Sequence, residues 1–203
     1  MHAPRLKCAL LLIASAAVAA GADKDHPTFQ PKPISEYPHR QTSEKVTIAA
    51  AVFMTDEQTK EPFGKLNPWR YGVLPVLVVI QNDGKDAIRL DKVKFVYVLP
   101  DNGRVEATPA GDVKYLEGAR KPGVVPGPLG GVHVSKSKSP LGEWEIEGRA
   151  FSAKMIPAGQ SASGFVYFQT PDTSDAATVY VSGLVNAANG NELYYFEIPM
   201  SGK

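Results

Sequence analysis

Cysteine is almost missing from this chain. The one that occurs, Cys8, stands ahead of an apolar run instead of behind it. An exported protein with a lipid anchor needs its cysteine directly after such a run, so lipid attachment is not expected. Loss of the leading segment takes Cys8 with it. The remainder has no thiol, which excludes disulfides, cysteine-ligated metals and thiol nucleophiles together. Charge of one sign is equally lacking: 22 basic residues face 21 acidic ones, and removing Arg5 and Lys7 with the leader leaves 20. No bulk field draws a chain of this kind to nucleic acid or to an anionic membrane.

Long hydrophobic runs are absent too. The longest near the start, residues 9–20, is rich in Leu and Ala and falls short of the roughly 20 residues that a membrane span requires. Arg5 and Lys7 precede it, and the small-residue patterns Ala17-Val18-Ala19 and Ala20-Gly21-Ala22 close it. That order reads as a secretory signal peptide over residues 1–20, so the expected location is periplasmic or secreted.

Histidine is scarce. His2 leaves with the leader, His26 and His39 lie in a proline-rich stretch, and only His133 stands elsewhere. A Ser-His-Asp triad needs a histidine to take the serine proton. Gly159-Gln160-Ser161-Ala162-Ser163 misses the G-x-S-x-G elbow at its fifth position and leads into a strand. No two histidines lie at ligand spacing, no acidic run forms a calcium loop, and Met54, Met155 and Met200 are too dispersed for a copper site. Glu106 and Asp112 are the one carboxylate pair considered for sugar hydrolysis, which depends on their separation in space. No glycine-rich phosphate cradle joins a strand to a helix. No cofactor is expected, and no enzymatic activity.

What is present centres on Val73-Leu74-Pro75-Val76-Leu77-Val78-Val79-Ile80-Gln81-Asn82-Asp83-Gly84. β-Branched residues favour an extended backbone here, and Asp83-Gly84 predicts a tight hairpin turn. Both alternating sets are apolar, so both faces of this strand must be covered. Trp144, Ile146, Phe151 and Met155 lie close to helical spacing and supply one possible cover; a second copy of the chain is the other, so a homodimer stays open.

Around this strand, residues 21–44 carry four prolines among polar residues and predict a semi-extended tail, a spacer or a segment that docks through Phe29 and Tyr37. Val46, Ile48, Ala50 and Val52 share a face of a first strand. Thr55 and Gln58 form a capping box before a short helix limited by Pro62 and ended by Gly64. Asn102-Gly103 marks a hairpin between strands at 93–99 and 104–108, and residues 110–116 predict a helical turn. Strands follow at 161–169, 177–184 and 192–198, the last two joined around Asn189-Gly190. The count is seven to eight strands with one or two short helices, an all-β antiparallel sandwich over residues 45–203.

Residues 118–142 break the pattern, with prolines and glycines alternating, and predict an irregular insertion. Arg120, Lys121, Lys136 and Lys138 occur there with no acidic residue among them, joined by His133. These five are the candidate ligand-binding residues, suited to an anionic glycan, a lipid headgroup or a carboxylate, against the plainer role of keeping a loop soluble. A protein partner is the further possibility.

The segment Ile156-Pro157-Ala158-Gly159-Gln160-Ser161-Ala162-Ser163-Gly164-Phe165-Val166-Tyr167-Phe168 resembles bacterial exported immunoglobulin-like domains, in which a Pro-x-Gly turn precedes a Gly-Phe-x-x-Phe strand. The strand ending in Asn82-Asp83-Gly84 looks like the matching early strand. The resemblance implies an immunoglobulin-like sandwich and export, with no catalytic residues to carry over. The chain departs from immunoglobulin domains proper in having no Cys-Trp-Cys core and in its long insertion. Two functions are therefore expected: a non-enzymatic binding or envelope-associated domain acting through 118–142 or an exposed sheet edge, or a carbohydrate-binding module or glycan-active enzyme using Trp69, Trp144 or exposed tyrosines as a stacking platform.

Overall fold

The computed structural model describes residues 29–116, 139–142, 144–170 and 176–200, with the backbone of 123–126 and 132–135. In chain order the strands are β1 (Arg40–Ser43), β2 (Val46–Val52), β3 (Val73–Asn82), β4 (Ile88–Arg89), β5 (Lys94–Val98) and β6 (Arg104–Glu106). They continue with β7 (Gly123–Pro126), β8 (Val132–Ser135), β9 (Met155–Ile156), β10 (Ser161–Gln169), β11 (Thr178–Ser182), β12 (Val185–Asn186) and β13 (Phe196–Pro199). Two antiparallel sheets dominate, in the orders β1-β2-β3-β10 and β13-β11-β5-β6. The short strands β12-β4-β9 make a third, and β7-β8 a separate ribbon.

Period-two alternation explains how the two sheets make one core. Leu74, Val76, Val78 and Ile80 of β3, with Ile48 of β2 and Phe168 of β10, meet Tyr97, Val179, Val181, Phe196 and Ile198 of the second sheet. The alternate set on β3, Val73, Leu77 and Val79, faces outward and is buried as well.

The expected cover for that outer face exists, and it comes from several elements. Phe63 of α1 (Asp56–Phe63), Val113 of α2 (Ala110–Val113), Leu141 in the 3-10 turn Pro140–Gly142 and Ile146 of α3 (Trp144–Gly148) close over Leu77, Phe165 and Tyr167. α1 carries the predicted capping box: Gln58 N donates to Thr55 Oγ1 at 3.3 Å, and Thr55 N donates to Gln58 Oε1 at 3.1 Å. α3 is held down by the Tyr167 hydroxyl, which donates to Ile146 O at 2.8 Å.

Several expectations are corrected. Among the described residues three short α-helices form where one or two were expected. The helix expected to run on to Met155 stops at Gly148, because Ala150 bridges to Phe165 and Phe151 turns inward to pack 5.4 Å from Phe95. Asp83-Gly84 makes no hairpin back along β3, since β4 pairs with β9 and β12. Instead the buried Asn82 organises that corner: its amide nitrogen donates to Asp86 O and Ile156 O, and its side-chain oxygen accepts from Gly84 N. The insertion at 118–142 was expected to be irregular, yet valines 124, 125, 132 and 134 pair as the β7-β8 ribbon, which needs only one antiparallel partner. Finally, the tail expected through Glu44 is part of the body from Phe29 onward, because β1 pairs with β2 and Tyr37 is buried.

Candidate functional site

The predicted basic residues cannot be placed as a site. Arg120, Lys121, Lys136 and Lys138 lie outside the described residues, and of His133 only the backbone in β8 is described. Glu106 and Asp112 are not brought together: Glu106 is exposed on the outer face of the second sheet, while Asp112 sits in α2 on the far side of the sandwich.

Neither tryptophan offers an open platform. Trp69 is half-buried against the core. Trp144 is 50% exposed, but its ring packs on Gly148, where a methyl group would lie 2.6 Å from the ring, and the Arg149 guanidinium stands 5.9 Å from its centre. Tyr180 and Tyr195 stack at 5.2 Å, and Arg104 lies 6.0 Å from the Tyr180 ring, so this ladder lies across the second sheet instead of presenting two ring faces side by side.

The sheet edges are partly engaged. Glu197 N donates to Gln41 Oε1 and Tyr194 N to Glu44 Oε1, which joins the β13 and β1 sides. On the β10 edge, Thr108 N donates to Tyr167 O at 2.7 Å, Phe165 N to Arg149 O at 2.8 Å, and Phe151 N to Phe165 O at 2.9 Å. Of the four outer edges, that of β6 is three residues long.

One region of the first sheet combines concavity with unspent polar groups. The helices cover only the Leu77–Phe165 half of its outer face. In the other half the register sets Thr42, Thr47, Gln81 and Ser161 side by side across four strands. Thr42 and Thr47 share a hydroxyl contact at 2.9 Å, and Gln81 Nε2 donates to Asp83 Oδ1 at 2.9 Å.

Above this row passes the segment 29–37, fastened at both ends. Phe29 packs 5.5 Å from Phe165 and 6.2 Å from Phe53, with the Arg149 guanidinium 6.0 Å from its ring. Tyr37 is buried and its phenol accepts from Lys32 N at 3.0 Å; Arg40 Nη1 donates to Ser35 O at 3.1 Å. Pro31 and Pro33 stiffen the span between these anchors. Burial pushes the Tyr37 phenol above its ordinary range, partly offset by the Lys32 N–H. Burial likewise raises the Tyr167 phenol strongly and lowers the neighbouring Arg149 guanidinium.

Between arm and sheet lies a recess of about 510 Å³, open to solvent. Pro31, Lys32, Pro33, Ile34 and Ser35 line it from the arm; Val79, Gln81, Asp83 and Ser161 line it from the sheet. Its size falls within the range of about 300–1,000 Å³ usual for ligand sites. Sequence reasoning missed it because its two walls come from residues about 50 and about 130 positions apart. The only available signal was the break in apolar alternation at Gln81, where the outer face turns polar.

No protein-family description matches this chain, and neither does any curated protein. Among solved structures it is similar to ycdA of Bacillus subtilis, at 13% identity over 81% of this chain and 39% of that one, TM-score 0.39. The chain therefore spans about two-fifths of that protein's length. It is similar also to the secreted protein MPT63 of Mycobacterium tuberculosis (12% identity, 78% and 89% covered, TM-score 0.32) and to a β-sandwich protein of Clostridium difficile (11%, 84% and 98%, 0.30). At these values no residue and no activity is carried across. Among the described residues, no helix is long and apolar enough to cross a membrane.

Proposed function

We propose that this chain is an exported, non-enzymatic binding domain of immunoglobulin-like connectivity, holding a polar ligand in the recess under its N-terminal arm. The connectivity is supported by the order of crossings: β2 and β3 in one sheet, β5 and β6 in the other, β10 back in the first, then β11 and β13 in the second. Export is supported by the order of charge, apolar run and small residues in 1–20.

The observation that carries the binding reading is chemical. Lys32, Ser35, Gln81, Asp83 and Ser161 all line the recess; among the described residues the Lys32, Ser35 and Ser161 side chains make no hydrogen bond, and those of Gln81 and Asp83 bond to each other. Two of these residues stand on or next to β3, the most fully buried strand of the sheet, so their backbone is held in place before any ligand arrives.

Two measurements test the reading. Fractionation of cells with N-terminal sequencing of the recovered protein is expected to find it outside the cytoplasm, beginning within residues 20–23; a cytoplasmic, full-length product ends the export claim. Amide spectra recorded against a library of polar compounds are expected to move at Gln81 and Ser161 and to stay fixed in a Gln81→Val, Ser161→Val variant. The basic set Arg120, Lys121, His133, Lys136 and Lys138 stands beside this as a separate proposal for an anionic glycan, headgroup or protein partner, tested by replacing the four Lys and Arg residues with Gln and measuring retention on heparin.

A further inference from the structure

We infer that the ligand of the recess is a segment of an uncharged oligosaccharide chain, a step that rests on the recess being the binding site at all. Three observations lead there. The lining carries one ammonium, Lys32, and one carboxylate, Asp83, so it has no net charge and selects neither an anion nor a cation. Its unspent groups are hydroxyl, amide and carboxylate side chains, which exchange hydrogen bonds with hydroxyl groups in both directions. Its remaining walls, Pro33, Ile34 and Val79, are aliphatic and fit the carbon faces of sugar rings.

The openness of the recess favours a chain passing through over a free small solute, because isolated small ligands are usually enclosed over 70–90% of their surface, roughly. A peptide is the other chain that might pass. Extended peptides gain affinity chiefly by pairing their backbone with an open strand edge. The recess lies on a sheet face, where side chains and not backbone groups meet the ligand. Sugar hydroxyls would displace water from Gln81, Asp83 and Ser161, replacing its hydrogen bonds in kind.

The experiment is an amide titration of the purified, isotope-labelled protein with four probes: neutral oligosaccharides of two to four glucose, xylose or N-acetylglucosamine units, a uronic-acid oligosaccharide, a proline-rich peptide and free amino acids. At least one neutral oligosaccharide is expected to shift the Gln81 side-chain amide and the Ser161 backbone amide saturably. Asp83→Asn and Ser161→Ala, both at exposed positions, should each weaken that binding at least tenfold while leaving the rest of the spectrum in place. Tighter binding of the uronic-acid probe or the peptide at the same resonances overturns the neutral-glycan assignment and leaves the recess as a site. Movement of Gln81 and Ser161 with none of the four overturns the site and the assignment together.

Discussion

Replacing Gly164 with alanine is expected to be among the most damaging single-methyl additions in this protein. Gly164 lies on β10, the outer strand of the first sheet, where it pairs with Val78, and the chain segment after α3 crosses directly over it. A methyl group there would lie 2.4 Å from Phe151 Cα, 2.5 Å from Phe151 N and 2.9 Å from the Ala150 carbonyl carbon. All three are backbone atoms, so no side chain can rotate out of the way. Restoring ordinary contact distance requires the crossing segment to retreat by about 1 Å. Such a retreat weakens the bonds from Phe151 N to Phe165 O and from Phe165 N to Arg149 O. Each is worth about 1 kcal/mol net, overpacking adds about 1–3 kcal/mol, and the stiffer unfolded chain returns about 0.4–1 kcal/mol. The balance is a loss of about 3 kcal/mol. For a chain of this size that lowers Tm by about 6–12 °C. Urea unfolding followed by circular dichroism measures it, with Gly111→Ala as the control: Gly111 sits in α2 with nothing within 4 Å, so alanine there should stabilise by about 0.5 kcal/mol. A Gly164→Ala protein that unfolds within 0.5 kcal/mol of the parent, roughly, would refute the close crossing over β10.

Three further outcomes are expected. Asn82→Ala should cost about 2–3 kcal/mol in urea unfolding, because Gly84 N, Asp86 O and Ile156 O lose their shared partner in a site without exposure; an unchanged midpoint would show that the corner holds without it. Tyr167→Phe should cost about 1–2 kcal/mol at neutral pH by removing the donor to Ile146 O. The same phenol is held protonated in the folded chain above its ordinary value of 10.0, so its contribution is complete below that pH and is lost as pH rises beyond it; the variant should show a shallower alkaline decline, and an identical decline in both proteins would count against the burial of Tyr167. Tyr37→Ala should cost about 3 kcal/mol and expose Arg40 to trypsin, whereas a flexible arm would be cut equally fast in both forms.

Much of the fold was legible because it rests on short-range chemistry. The Thr55/Gln58 box, the Asn102-Gly103 turn, where Asn102 adopts φ 66°, and the strands at 46–52, 73–82 and 161–169 follow from side-chain branching, capping and backbone permissiveness, all of which act within a few residues. The requirement for cover on both faces of β3 was legible too, since a double apolar alternation has one physical solution. Which segment supplies the cover was not legible. Phe63, Val113, Leu141 and Ile146 are separated along the chain by local sequence that says nothing of their meeting.

By itself, then, the amino-acid order determined that the chain is β-rich, that it carries a single cysteine, and that its middle strand must be wrapped. Only the tertiary structure decided that a proline-rich arm closes onto the first sheet, that Asn82 replaces a hairpin turn with a buried corner, and that Gln81, Asp83 and Ser161 share a recess with Lys32 and Ser35. The reason is one of range: propensity is set by neighbours in sequence, whereas a recess is set by register across strands, which depends on the packing of every element behind it.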